Sequence, residues 1–167
     1  AATQDSRTFI KDTVLPTVAI TAPAANAYVT SANMASFTIS GTCSENGQNV
    51  VLSGAASATV ACASNAWTTN VDFSASGQGN LTVNANHSDA AGNAATQDSR
   101  TFIKDTVIPT VAITSPAANS YVTSANMASF TVSGTCSENG QNVVLSGAAS
   151  ATIACASNAW TTNLNLS

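Results

Sequence analysis

The chain has 167 residues and a formal net charge of −4, and only 7% of its residues are charged, against about 25% in an ordinary soluble domain. Four Lys and Arg in all exclude the basic surface that electrostatic binding of nucleic acid needs, and no apolar run reaches the roughly 18 residues of a membrane-spanning helix. Aromatics are 5%, so any core must be built largely from small side chains.

The start of the chain has neither an initiator Met nor a signal-peptide pattern and reads as a mature product or as a window on something larger. Residues 1–12 end in the segment SRTFIKD, which reads as the last strand of a preceding module. Asp12-Thr13-Val14-Leu15-Pro16 follows as a linker stiffened by proline. Alternation of apolar and polar residues then predicts strands over 17–21 (TVAIT), 36–43 (SFTISGTC), 50–53, 58–62 (ATVAC), 67–73, 81–88 and 99–104 (SRTFIK). Turn signals separate them: Ser-Glu-Asn-Gly at 44–47, Ser-Asn at 64–65, Ser-Gly-Gln-Gly at 76–79 and Ala-Gly-Asn at 91–93. No segment carries a helical period. A period of two places Val18, Ile20, Phe37, Ile39, Cys43, Leu52, Val60, Cys62, Trp67, Val71, Phe73, Leu81, Val83 and Ala85 on inward faces. Trp67 is the expected core anchor, and Trp160 its copy, because an indole buries far more area than the alanines around it.

The second linker, Asp105-Thr106-Val107-Ile108-Pro109, opens a near-copy of what has gone before. Residues 1–74 align with 94–167 without a gap, and they differ at eight positions. Five of the eight exchange one large apolar residue for another, such as Leu15/Ile108 and Ile39/Val132, as buried sites tolerate. The 93-residue offset suits a small all-β domain rather than a solenoid repeat. The expected organisation is therefore a last strand at 1–12, a complete module at 13–105 and an incomplete module at 106–167 that stops after its fifth strand. About seven short strands in one such repeat imply a β-sandwich.

The order of the pieces resembles a family. Ser40-Gly41-Thr42 closes the second strand, Asn65-Ala66-Trp67 opens the fifth, and Ser88-Asp89-Ala90-Ala91-Gly92-Asn93 precedes the last, which runs into Asp105-Thr106-Val107-Ile108-Pro109. This pattern is similar to the bacterial Ig-like tandem repeats of large surface adhesins and other giant exported proteins. The resemblance implies seven-stranded Ig-like sandwiches strung end to end, and it implies no single ligand.

The cysteines are the sharpest chemical signal. Cys43 and Cys62 share the inward phase, and Cys136 and Cys155 copy them. A disulfide within each module is expected, worth about 3 kcal/mol for a loop of this size; the alternative is a pair of buried free thiols. A disulfide implies an oxidising, extracellular or cell-surface location. Asp12, Glu45 and Asp89 fall in loops expected at one end of the module, with Asp105 and Glu138 as a partial copy. Converging carboxylates suit Ca²⁺, and some stalks of the resembled family are stiffened by calcium between domains; ordinary turn chemistry is the competing reading. No other cofactor is expected. His87 is read as a surface residue at a strand end, and Arg7, Lys11, Arg100 and Lys104 as charges on or beside edge strands that discourage aggregation. An isopeptide bond from Lys104 would need an acid beside a buried lysine. Asn80 and Asn86 head glycan sequons, with Asn86 the more exposed by phase.

No catalytic constellation is present in the sequence, so the chain is expected not to be an enzyme. The favoured reading is a structural repeat of an extracellular stalk or fibre. Its partners would be neighbouring copies of the same module, in cis or in a filament, with any cell-surface receptor met by another domain. The alternative is an Ig-like module that binds a carbohydrate or protein through the loop at 22–36, which contains Tyr28 and Met34. That loop recurs with Tyr28-Val29-Thr30-Ser31-Ala32-Asn33-Met34 unchanged at 121–127, unlike a dedicated recognition loop. The missing last two strands of the third piece leave two options, a window on a longer array or completion by another chain.

Overall fold

A computed structural model describes residues 2–167. The described residues are all-β apart from one short 3₁₀ turn, and the chain divides after Thr106 into two compact units. Unit 1 holds β1 (Val18–Ala22), β2 (Tyr28–Val29), β3 (Phe37–Cys43), β4 (Asn49–Gly54), β5 (Ala58–Ala61), β6 (Ala66–Val71), β7 (Gly79–His87) and β8 (Asp98–Lys104). Unit 2 holds β9 (Val111–Ser115), the 3₁₀ turn η1 (Met127–Ser129), β10 (Phe130–Cys136), β11 (Asn142–Leu145), β12 (Ala151–Ala154) and β13 (Ala159–Leu164). Each of the five strands of unit 2 starts 93 residues after its counterpart, from Val18 and Val111 to Ala66 and Ala159.

In unit 1 the strands form a three-stranded sheet, β1-β3-β6, and a five-stranded sheet, β2-β8-β7-β4-β5. One core draws on both. Ile20, Phe37, Ile39, Cys43, Trp67 and Val71 come from the first, and Val50, Leu52, Leu81, Val83, Ala85 and Phe102 from the second. The ring of Phe37 meets Phe73 and Phe102 edge-on at 5.7 and 5.0 Å, a geometry that aromatic quadrupoles favour. The expected strands are present, with bounds shifted by one or two residues. The loop expected over 22–36 contains an extra strand, β2, which pairs parallel to β8. Two residues are too few to show alternation. Tyr28 is exposed there, whereas Met34 packs on the core.

Residues 2–17 form no strand, and Phe9 and Ile10 are 87% and 94% exposed. This segment covers the residues expected as the last strand of a preceding module, 1–12, of which Ala1 lies outside the described residues. The same sequence at 94–105 forms β8, where Phe102 is fully buried. The difference is the partner: β8 lies between β7 and β2. Unit 2 shows the converse. Ile20 is 1% exposed but its counterpart Ile113 is 61% exposed, because the strand that covers the first has no counterpart over the second.

Charge placement also differs from expectation. The edge strands of unit 1 are β1, β6, β2 and β5, none of which carries a charged residue. Arg100 and Lys104 lie in β8 inside the five-stranded sheet, and Arg7 and Lys11 lie in the strandless segment.

Trp67 is buried against Gly41, which lies opposite it in the β3–β6 ladder, and its Nε1 donates to Thr42 O at 3.1 Å. A Cβ on Gly41 would collide with the indole and with Ala19 O. The Ser-Gly-Thr motif is thus a space requirement of the anchor, and Gly134 under Trp160 repeats it. Gly41→Ala is expected to cost about 2–3 kcal/mol through overpacking. Gly77→Ala, with nothing within 4 Å, should stay within about 0.5 kcal/mol; thermal melts of the two variants check this.

Candidate functional site

Three constructions in unit 1 hold chemistry-bearing side chains. The first surrounds the cystine. Cys43 at the end of β3 and Cys62 just beyond β5 are joined, as are Cys136 and Cys155 in unit 2. β3 and β5 belong to different sheets, so the bridge ties the two layers. Asn46 braces it from the Ser-Glu-Asn-Gly turn. Its Oδ1 accepts Asn65 N at 2.8 Å, and its Nδ2 donates to Asn65 Oδ1 at 2.9 Å. Gly47, at φ +86°, lets the chain turn back so that its N–H reaches Cys62 O. Ser64 and Asn65 both have positive φ and make the tight β5–β6 turn. Asn139 and Asn158 repeat this brace.

The second construction lies where the chain enters unit 1. Thr17 N donates to Ser44 Oγ, Ser44 N donates to Thr17 O, and Glu45 N donates to His87 Nε2 at 3.2 Å. His87 is therefore not the surface residue expected: it is buried, and its Nδ1 faces Asn49 O at 3.0 Å. Accepting at Nε2 places the ring proton on Nδ1 as the donor to that carbonyl. The imidazole thus pins the loop after β3 to β4 and β7. Its position at the end of β7 continues the inward phase of Leu81, Val83 and Ala85, a signal present in the sequence.

The expected carboxylate cluster does not assemble here. Asp12 Oδ1 accepts Val14 N, Glu45 Oε1 accepts Ser44 Oγ, and Asp89 accepts both Asn93 N and Asn93 Nδ2. Asp12 and Asp89 each close their own turn, as short acidic side chains in loops do, and Glu45 accepts from the neighbouring serine. Asp12 approaches Asp89 only through its backbone, whose carbonyl accepts Asn93 Nδ2 at 3.4 Å. Glu138 likewise accepts from Ser137 Oγ, and Asp105 donates its backbone N–H to Val29 O. Among the described residues no three His, Cys, Asp or Glu side chains gather as a metal site.

The third construction lies where the chain leaves unit 1. Lys104 is 5% exposed, and its Nζ donates to Phe73 O at 2.7 Å, Ser74 O at 3.1 Å and Ser76 O at 2.7 Å. All three donors of the ammonium are used. These partners are main-chain carbonyls, not the side-chain amide that an isopeptide bond would need. Sequence reasoning missed the cradle because carbonyls carry no sequence signature. The sequons are also reversed in exposure: Asn80 is exposed, while Asn86 is half-buried and accepts from Gln97 Nε2.

In unit 2 a groove of about 470 Å³ is lined by Pro109, Val111, Cys136, Glu138, Val143 and Cys155, among others. In unit 1 the corresponding region is covered by β7 and His87, which pair with β4.

Two carboxyls have altered acidity. Hydrogen bonds from Asn93 hold the Asp89 carboxyl below the ordinary aspartate value, and hydrogen bonds from Ser74 do the same for Asp72. A carboxyl whose folded value is depressed contributes stability above its unfolded value and loses that contribution as pH falls through the folded one. Stability should therefore drop below about pH 4. Asp89→Asn keeps a side-chain acceptor for the turn and should flatten that acid slope in melts at stepped pH; an unchanged slope would show that Asp89 contributes nothing to it.

No protein-family model matches the chain, and no curated protein matches it. Among solved structures it is similar to one described as a crystal structure of a tetra-tandem repeat in the extending region of a large adhesion protein. The two are 20% identical with a TM-score of 0.41, over 92% of this chain and 41% of that one. The chain thus spans about two fifths of that chain's length.

Proposed function

We propose that the chain is a run of Ig-like β-sandwich repeats acting as a non-catalytic spacer in an extracellular stalk or fibre. The observation that carries this reading is the paired fate of one sequence. Residues 98–104 close unit 1 as β8, while the identical residues 5–11 lie exposed, and unit 2 exposes the face that such a strand covers in unit 1. In unit 1 the closing strands, β7 and β8, come from the same 93-residue repeat as the strands they cover, so each full repeat carries what one bead needs and beads can be strung end to end. The β1-β3-β6 and β2-β8-β7-β4-β5 sheets around one core support the Ig-like sandwich. A cystine in each unit supports an oxidising location outside the cell. Near-identity of the repeats supports spacing over recognition, since the exposed Tyr28 and Tyr121 open segments, 28–34 and 121–127, that are identical.

The test is to extend the chain by its own logic. A copy of residues 75–105 appended after Ser167 supplies unit 2 with counterparts of β7 and β8. The expected result is that unit 2 melts close to unit 1. Each further 93-residue repeat should then add a constant increment to the maximum dimension in small-angle X-ray scattering. A second unit as weak as before, or a dimension that stops growing with repeat number, would overturn the reading.

A further inference from the structure

The turn after β3 needs two residue types side by side. Asn46 supplies the brace, through Oδ1 to Asn65 N and through Nδ2 to Asn65 Oδ1. Gly47 supplies a φ of +86°, which a side chain would strain. Together they make Asn46-Gly47, and the repeat makes Asn139-Gly140, the two Asn-Gly dipeptides of the chain. Such a dipeptide is open to attack by its own main chain. The nitrogen of the glycine bonds to Cγ of the asparagine, a cyclic imide forms, and Nδ2 leaves as ammonia. Water then opens the ring at either carbonyl and gives aspartate or isoaspartate. Glycine favours the step because no Cβ obstructs the approach, and at Gly47 and Gly140 nothing lies within 4 Å of where a Cβ would stand. Asn46 and Asn139 are both exposed, so water reaches them.

The fold occupies both reacting groups. The nucleophile, Gly47 N, donates to Cys62 O at 2.8 Å. The amide is held by Asn65 at both its polar atoms, and its Oδ1 lies 3.8 Å from Cys62 Sγ. Cys62 N donates to Gln48 O at 2.8 Å, and Cys43 N to Asn65 O at 3.1 Å. The restraints on Asn46-Gly47 thus run to Cys62 and to Asn65, which is bonded to Cys43, and the cystine joins those two cysteines. Unit 2 repeats the arrangement: Gly140 N donates to Cys155 O at 2.8 Å, and Asn158 holds the Asn139 amide. The units differ one residue earlier. Glu45 N is held by His87 Nε2, whereas its counterpart Glu138 lines the open groove.

We propose that Asn46 and Asn139 are modification sites gated by the cystine: closed to imide formation while the bridge stands, and open once it is reduced. The change is one-way. The aspartate product has no Nδ2 to donate, and its carboxylate would face Asn65 Oδ1, two acceptors with no proton between them. The isoaspartate product adds a carbon to the main chain of a turn whose length sets Gly47 N on Cys62 O. Either product bars the brace from re-forming, so a module left reduced carries a permanent mark after reoxidation. The inference concerns the cystine and its turn, and it stands apart from the spacer reading.

Peptide mapping of the full chain after incubation at mildly alkaline pH tests it, with fragmentation that tells isoaspartate from aspartate. One sample stays oxidised and the other is held reduced by a small thiol. Deamidation at Asn46 and Asn139 should run about tenfold or more faster in the reduced sample, since loop closure by a cystine is worth at least that factor. Within the oxidised sample Asn139 should precede Asn46, because the single His of the chain pins the turn of unit 1. A reduced module that unfolds outright would also expose the dipeptide, so one variant decides with the bridge intact. Asn65→Gly allows the positive φ of that position and removes the Oδ1 partner of Asn46. In oxidised protein it should speed deamidation at Asn46 several-fold and leave Asn139 at the parent rate. Chain aged while reduced and then reoxidised should melt below chain reoxidised at once. Equal rates in the two samples, or an Asn65→Gly variant that deamidates at the parent rate, would overturn the gate. Asn46 reacting before Asn139 would overturn the part given to His87, and full recovery of the melting temperature by deamidated, reoxidised chain would overturn the one-way mark.

Discussion

The docking of β8 is the constraint on which unit 1 depends. This strand brings Phe102 into the core beside Phe37, carries Lys104 to its three carbonyls and runs alongside the entering chain from Ile20 to Val29. A chain so poor in large side chains has little apolar area to spare, at about 25 cal/mol for each Å² removed from water. Losing the cover of one strand therefore exposes a sizeable part of its core. The two units are a natural comparison, because Ile20 and Val29 are buried while Ile113 and Val122, in the same local sequence, are exposed. Local propensity is the same in both; tertiary cover makes the difference.

The cystine and the Asn46 brace do a different job. They join the layers at the β3 and β5 ends, and they do so in both units, including the one with the exposed face. Closing a loop of this size stabilises mainly by limiting the unfolded chain, which does not require a complete core around it. This explains how unit 2 retains five strands and a buried Trp160. The cystine holds the half that is present, and β8 and its neighbours complete the half that closes the module.

Much of this was legible before any coordinates. The alternation in SFTISGTC and in LTVNANH is strong because one face of each strand meets the core, and Trp67 stands out by size alone. The inward phase of Cys43 and Cys62 points each at the other. What stayed hidden depends on main-chain partners or on a single long-range contact. β2 has two residues and no period. Lys104 looks like an edge charge until the carbonyls of a distant loop are placed around it. His87 reads as a strand-end residue, although its inward phase was visible, because a lone histidine gives no hint of a loop N–H to accept. The carboxylates Asp12, Glu45 and Asp89 do occupy loops at one end, yet each finds a local donor within four residues, and sequence spacing cannot distinguish that from convergence on an ion.

The last two strands, β7 and β8 in unit 1, set the stability of a module, and local sequence does not. Native-state amide hydrogen exchange measures this most directly, because it reports opening free energies residue by residue. β3 and β10 have nearly identical sequences and equivalent ladders to β6 and β13. Amides of β10 are expected to exchange orders of magnitude faster than those of β3. Equal protection of the two strands would contradict it.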